Sequence, residues 1–150
     1  RETLRTGMPE DVRVKKIAGH AVLMAQSGQY NVSRCRRHGE EAAARLACCE
    51  FVNHTLAMLF LLNERHMPFY KWAFRAAKEL PKLSELIPTL EALLREPDED
   101  TIERVSAAVI EELRAQGLTD GGWDFLEPHA YAVMRRIRNP EIAALHIMEV

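Results

Sequence analysis

The chain has 150 residues, 47% of them apolar and 28% charged, with a net charge of −2 and no uninterrupted apolar run of eighteen. That balance describes one globular domain with a sizeable core; it excludes a disordered chain, and no membrane contact is expected. Three cysteines, Cys35, Cys48 and Cys49, are odd in number with two adjacent, so they form no disulfide framework and fit a reducing cytoplasm.

Charge is unevenly placed. Residues 1–82 carry fourteen Lys and Arg against eight Asp and Glu, while 83–150 carry six against fourteen. Such polarity suits a basic face for phosphates and an acidic face elsewhere, or simply a solvated surface. The chain opens on Arg1 without a signal-peptide pattern and reads as a piece of something longer.

In chain order, helical periodicity recurs and strand-like alternation does not, which predicts an all-α fold. A first helix is expected from Pro9 to Gln26, with Gly28 as its stop. Its apolar stripe is Val14, Ile17, Ala18, Ala21 and Ala25; Arg13, Lys16 and His20 share another face. A short turn follows at "NVSRCRRH", with Asn31 as N-cap and Gly39 as stop.

The longest helix is predicted from about Glu40 to Arg65, closed by Met67 and Pro68. It becomes apolar all round at "LAMLFLL", the mark of a central helix; that stretch is too short to cross a bilayer. "HMPFYKWAFRAAKELP" supplies a helix ending near Leu80, and "KLSELIPTLEALLRE" another that Pro88 either kinks or starts. "PDED" opens the helix "TIERVSAAVIEELRAQ", stopped by Gly117. "WDFLEPHAYAVMRRIR" and, after Asn139 and Pro140, "EIAALHIME" complete the chain. Short links between amphipathic helices imply an antiparallel four-helix-type bundle with additional short helices, forming a single domain over 1–150.

Within "HMPFYKWAFRAAKELPKL", four aromatic residues occupy six positions and cations are threaded between them. Lys71, Arg75 and Lys78 fall at i, i+4 and i+7 and share a face, with Lys82 just beyond Pro81. Tyr70, Ala73, Phe74 and Ala77 form a neighbouring stripe expected to face the core, and Trp72 lies off it. Aligned cations repel one another, so the face gains most from an anion such as a phosphate chain, with an aromatic available to stack on a base. The plainer reading is a solvated stripe.

Glu50, Asn53 and His54, at i, i+3 and i+4 of the long helix, are expected as a buried polar cluster. They either line a cleft, with Glu50 as a general base, or bond one another. His66 and His129 are expected as helix caps. Cys35 and His38 stand one turn apart, but no second ligand pair at zinc spacing follows, so no metal site is assigned. Asp98 and Asp100 read as helix-capping residues.

"MPEDVRVKKIAGHAVLMAQSGQYNVSR", "FVNHTLAMLFLLNERHMPFYKWAFRAAKELP" and "AYAVMRRIRNPEIAALHIMEV" together resemble a bacterial family in which a helical domain of unknown function follows a nucleotidyltransferase-fold domain. Such helical domains resemble the substrate-binding halves of aminoglycoside-type nucleotidyltransferases, bundles that close over a nucleotide held by the catalytic half. The resemblance implies a nucleotidyltransferase-fold domain in cis and a nucleotide or small-molecule ligand, with Lys71 and Arg75 on triphosphate oxygens and Tyr70 or Trp72 against the ligand. The Gly-Ser turn and paired aspartates that hold magnesium on the triphosphate are missing here. A nucleoside triphosphate with magnesium is therefore expected only together with the catalytic domain, and no cofactor is expected on this chain alone.

"RNPEIAALH" also resembles the Arg-polar-(four to six residues)-His motif of the HEPN ribonucleases, which are helical too. That resemblance would place Arg138, Asn139 and His146 beside a scissile phosphate in the cleft of a homodimer. Pro140 interrupts the helix on which the motif normally rides. A third reading is a helical module that docks a partner through an apolar face.

Overall fold

A computed structural model describes residues 7–150; the opening at Arg1 and the contributions of Arg1, Glu2 and Arg5 to the charge tally lie outside them. No β-strand occurs among the described residues, and the fold is all-α. The elements are α1 (Glu10–Met24), a π-helical segment (Ala25–Asn31), α2 (Val32–Arg37), α3 (Glu41–Leu62), α4 (Tyr70–Ala77), a 3₁₀ turn (Ser84–Leu86), α5 (Ile87–Arg95), α6 (Glu99–Ala115), α7 (Leu126–Met134) and α8 (Pro140–Ala143). α1 packs on α3 and α7. α3 also receives α2, the π segment, α4 and α5, while α6 lies against the π segment, α5 and α7.

The helix expected to stop at Gly28 does not stop. Ala25, Asn31 and Val32 keep right-handed helical dihedrals, so α1, the π segment and α2 form one continuous rod. Gly28 serves close approach instead: a Cβ there would lie 2.2 Å from Cδ1 of Phe51, a fully buried ring of α3. Asn31, inside the rod, makes no capping hydrogen bond. Gly39, at φ +73°, does terminate it. Gln29 in the π segment accepts a hydrogen bond from the Leu126 backbone N–H (2.8 Å) and donates to the Asp124 carbonyl (3.1 Å), fastening the loop before α7.

α3 ends at Leu62, three residues early. Asn63 donates through Nδ2 to the carbonyls of Leu59 (2.8 Å) and Lys82 (3.0 Å), and accepts from the Lys82 N–H (2.9 Å). By length and composition α3 passes as a membrane-crossing helix, yet 56% of its most apolar window is buried within the fold. Its apolar surface is that of a core helix. Cys48 is buried and its thiol is pushed up to about 11, chiefly by desolvation, whereas Cys49 is exposed.

Other boundaries follow local chemistry. Pro88 stands at the start of α5. Asp98 accepts from the Thr101 N–H at 3.0 Å and caps α6, which Gly117 closes at φ +72°. α7 and α8 are shorter than their periodicity predicts. His129, fully buried inside α7 and not a cap, donates from Nε2 to the Trp123 carbonyl (2.7 Å) and accepts at Nδ1 from the Thr119 hydroxyl (2.8 Å). These bonds hold 119–123 as a loop. The tail after α8 is captured by buried Lys15, whose ammonium donates to the carbonyls of Ile147 (3.1 Å) and Glu149. Gly19 clears the way: a Cβ on it would meet Val150 Cγ1 at 2.2 Å.

Candidate functional site

α4 lies against α3 through Ala73 and Ala77, both fully buried, with Phe74 packed at the edge of the core. Its opening turn is uncovered. Tyr70 does not face the core: Phe69, Tyr70 and Trp72 are 65%, 66% and 56% exposed. The helix begins only at Tyr70, after the extended approach from α3, so its first turn projects past the small-residue contact. The Phe69 and Tyr70 rings stand 4.7 Å apart, centre to centre.

The cations divide into two groups. Lys78 reaches Glu91 on α5 at 3.9 Å, and Lys82 reaches Glu112 on α6 at 3.6 Å. The Arg75 guanidinium stands 5.7 Å from the Trp72 ring centre, within cation–π range. Lys71 is exposed and has no acidic partner among the described residues. The acids on neighbouring helices thus trim the stripe from three or four cations to Lys71 and Arg75, both beside the exposed rings.

Glu50, Asn53 and His54 do not form a buried cluster. Glu50 and Asn53 are exposed on α3, and only His54 is partly covered. His54 instead meets His20 of α1, Nδ1 to Nδ1 at 3.1 Å. Burial, then His54, Lys16 and Lys15, lower His20 to about 4. Burial also lowers His54, with the Glu50 carboxylate opposing. Helical periodicity groups His20 with Lys16 and His54 with Glu50; nothing local joins residues 34 positions apart. His20, Lys16, Arg65 and His66 share the walls of a hollow of about 190 Å³.

Arg138 and Asn139 line a separate hollow of about 550 Å³ with Glu10, Asp11 and Arg136. Their backbone N–H groups donate to the Asp11 carboxylate (3.3 and 2.7 Å), and the Asn139 amide oxygen accepts from the N–H groups of Glu141 (2.9 Å) and Ile142 (3.2 Å), capping α8. His146 lies beyond α8 and its Nδ1 accepts from the Met148 N–H at 3.2 Å. The three residues share no helix. Among the described residues no group of three or more His, Cys, Asp or Glu is placed to hold a metal ion.

Residues 1–73 match the model of a family described as a domain of unknown function, DUF4037. The matched segment takes in α1 through α3 and the first half of α4, and so Lys16, His20, His54, Arg65 and the exposed ring cluster. Arg75, Lys78, Arg138, Asn139 and His146 lie outside it. No curated protein and no solved structure matches the chain.

Proposed function

We propose that this helical domain binds a nucleotide or a nucleotide-activated substrate through the opening edge of α4, in partnership with a nucleotidyltransferase-fold domain of the same protein, and performs no transfer alone. The observation that carries this reading is the exposure of Phe69, Tyr70 and Trp72 together with Lys71 and Arg75. Exposed single apolar side chains are ordinary, whereas three adjacent rings with interleaved cations suit base stacking and phosphate contact. Magnesium on the triphosphate needs carboxylates that this segment does not supply: Asp98, the start of the Asp98–Asp100 pair, is committed to capping α6. The partner domain would provide them.

Titration calorimetry with a nucleoside triphosphate tests the reading. Lys71→Ala combined with Arg75→Ala lowers affinity about tenfold or more, because charge-assisted bonds carry about 1.5–3 kcal/mol each. Both side chains are exposed, so the melting temperature stays unchanged. Undetectable binding by the wild type, or equal binding by the double variant, refutes it.

A docking surface for a partner protein uses the same rings, since aromatics and arginine dominate such interfaces. That alternative predicts no nucleotide binding by the chain alone. The ribonuclease reading predicts RNA cleavage that His146→Ala abolishes.

A further inference from the structure

Four hollows on the described surface have carboxylates in their walls: Glu127 in one, Glu103, Glu111 and Asp124 in another, Glu149 in a third, Glu10 and Asp11 in the fourth. A fifth has none among its described residues. Lys16 and His20 of α1 and Arg65 and His66 after α3 face it, with Phe60 and Leu61 among its apolar walls.

The His20 and His54 ring centres are 5.3 Å apart while their Nδ1 atoms are 3.1 Å apart. Given the size of an imidazole ring, both nitrogens must lie close to the line between the centres. That is the arrangement of a direct N–H···N hydrogen bond between rings of opposite tautomer. A bridging metal would need both lone pairs aimed at a third point. With Nδ1 engaged by His54, the nitrogen of His20 left to meet the hollow is Nε2. The charged groups around the pair are Lys15 and Lys16 on α1, Glu50 on α3, Arg65 and His66 beyond it, and Glu149 beside Lys15.

We propose that this hollow binds a dianionic phosphoryl group, with Lys16 and Arg65 supplying the charge and His20 Nε2, held by His54, hydrogen-bonding an anion oxygen as His20 takes up a proton from solvent. The protonated ring donates from Nδ1 to His54 and from Nε2 to the anion, so both of its N–H groups are used. Neutral His20 in the empty hollow follows from burial and surrounding positive charge; an anion removes the second cause. The inference stands apart from the α4 edge, since its residues and readout differ.

Imidazole ¹H–¹⁵N spectra of the whole chain, titrated with sulfate, inorganic phosphate and a nucleoside monophosphate, test it. Sulfate stays doubly charged, so its affinity should rise as the pH falls below neutrality and His20 accepts its proton. The His20 and His54 signals should move saturably, and Arg65→Met should weaken binding about tenfold. Arg65 is exposed outside any helix, so the variant remains folded even where Lys16→Met loosens α1. Tighter binding of the monophosphate than of phosphate points to a phosphorylated ligand, and equal binding to free oxyanion; either supports the site. Signals that do not move saturably, or that respond equally in Arg65→Met, overturn it.

Discussion

The ring of Phe51 fills the space beside Gly28, 2.2 Å from where a Cβ would stand. Gly28→Ala sets two effects against each other. Alanine favours a helix by about 1 kcal/mol, but overpacking a rigid core costs about 1–3 kcal/mol, and a fully buried ring has nowhere to retreat. We expect net destabilisation of about 1–2 kcal/mol by urea unfolding. Adding Phe51→Leu should make the pair less damaging than the sum of the single changes; strict additivity would show that the contact does not matter.

Arg13 joins α1, α3 and the residue that caps the end of α6. Its guanidinium pairs with Glu10 (2.9 and 3.1 Å), and donates to the Leu61 carbonyl (3.0 Å) and to the Gln116 side chain (3.2 Å), while the residue is only 5% exposed. Arg13→Leu takes charge-assisted hydrogen bonds from Gln116 and from the Leu61 carbonyl, which keeps its bond from the Glu64 N–H (3.1 Å), while Glu10 can return to water, so the loss should be about 2–3 kcal/mol. Arg13→Lys keeps the charge without the planar fork and should recover less than half of it. Chemical unfolding of both variants gives the comparison.

Stability should fall on mild acidification because of the histidine pair. The folded state holds His20 near 4 against about 6.5 unfolded, and His54 is lowered as well. The unfolded chain therefore binds more protons between those values, so stability rises with pH across them. The contribution is complete above about 6.5 and is lost as the pH falls from there toward 4. For His20 it is on the order of 2 kcal/mol after allowing for partial exposure. In His20→Gln the difference in unfolding free energy across that window should shrink by about this amount; an unchanged difference would reject the assignment.

Wherever a boundary depends on neighbours in the chain, local chemistry was enough. Pro9 before α1, Gly39 and Gly117 at positive φ, Asp98 capping α6 and Asn139–Pro140 opening α8 all follow from dihedral preference and short-range hydrogen bonds, whereas Pro88 fitted a kink as well as the start that it takes in α5. So do the all-α class and the central position of α3, because an apolar surface on every side of a helix must be covered from every side.

Packing decided the rest. Gly28 has the same local pattern whether it stops a helix or admits a ring, and only the arrival of Phe51 from α3 selects the second. Tyr70 shares an apolar period with Ala73 and Ala77, yet among the described residues nothing covers it and it is exposed. Arg13 and Lys15 are polar by sequence and buried because carbonyls from distant segments converge on them. The pairing of His20 with His54 exists only because α1 and α3 meet with those two faces inward. Periodicity along one helix states which residues share a face; it holds no term for the partner that the face will meet.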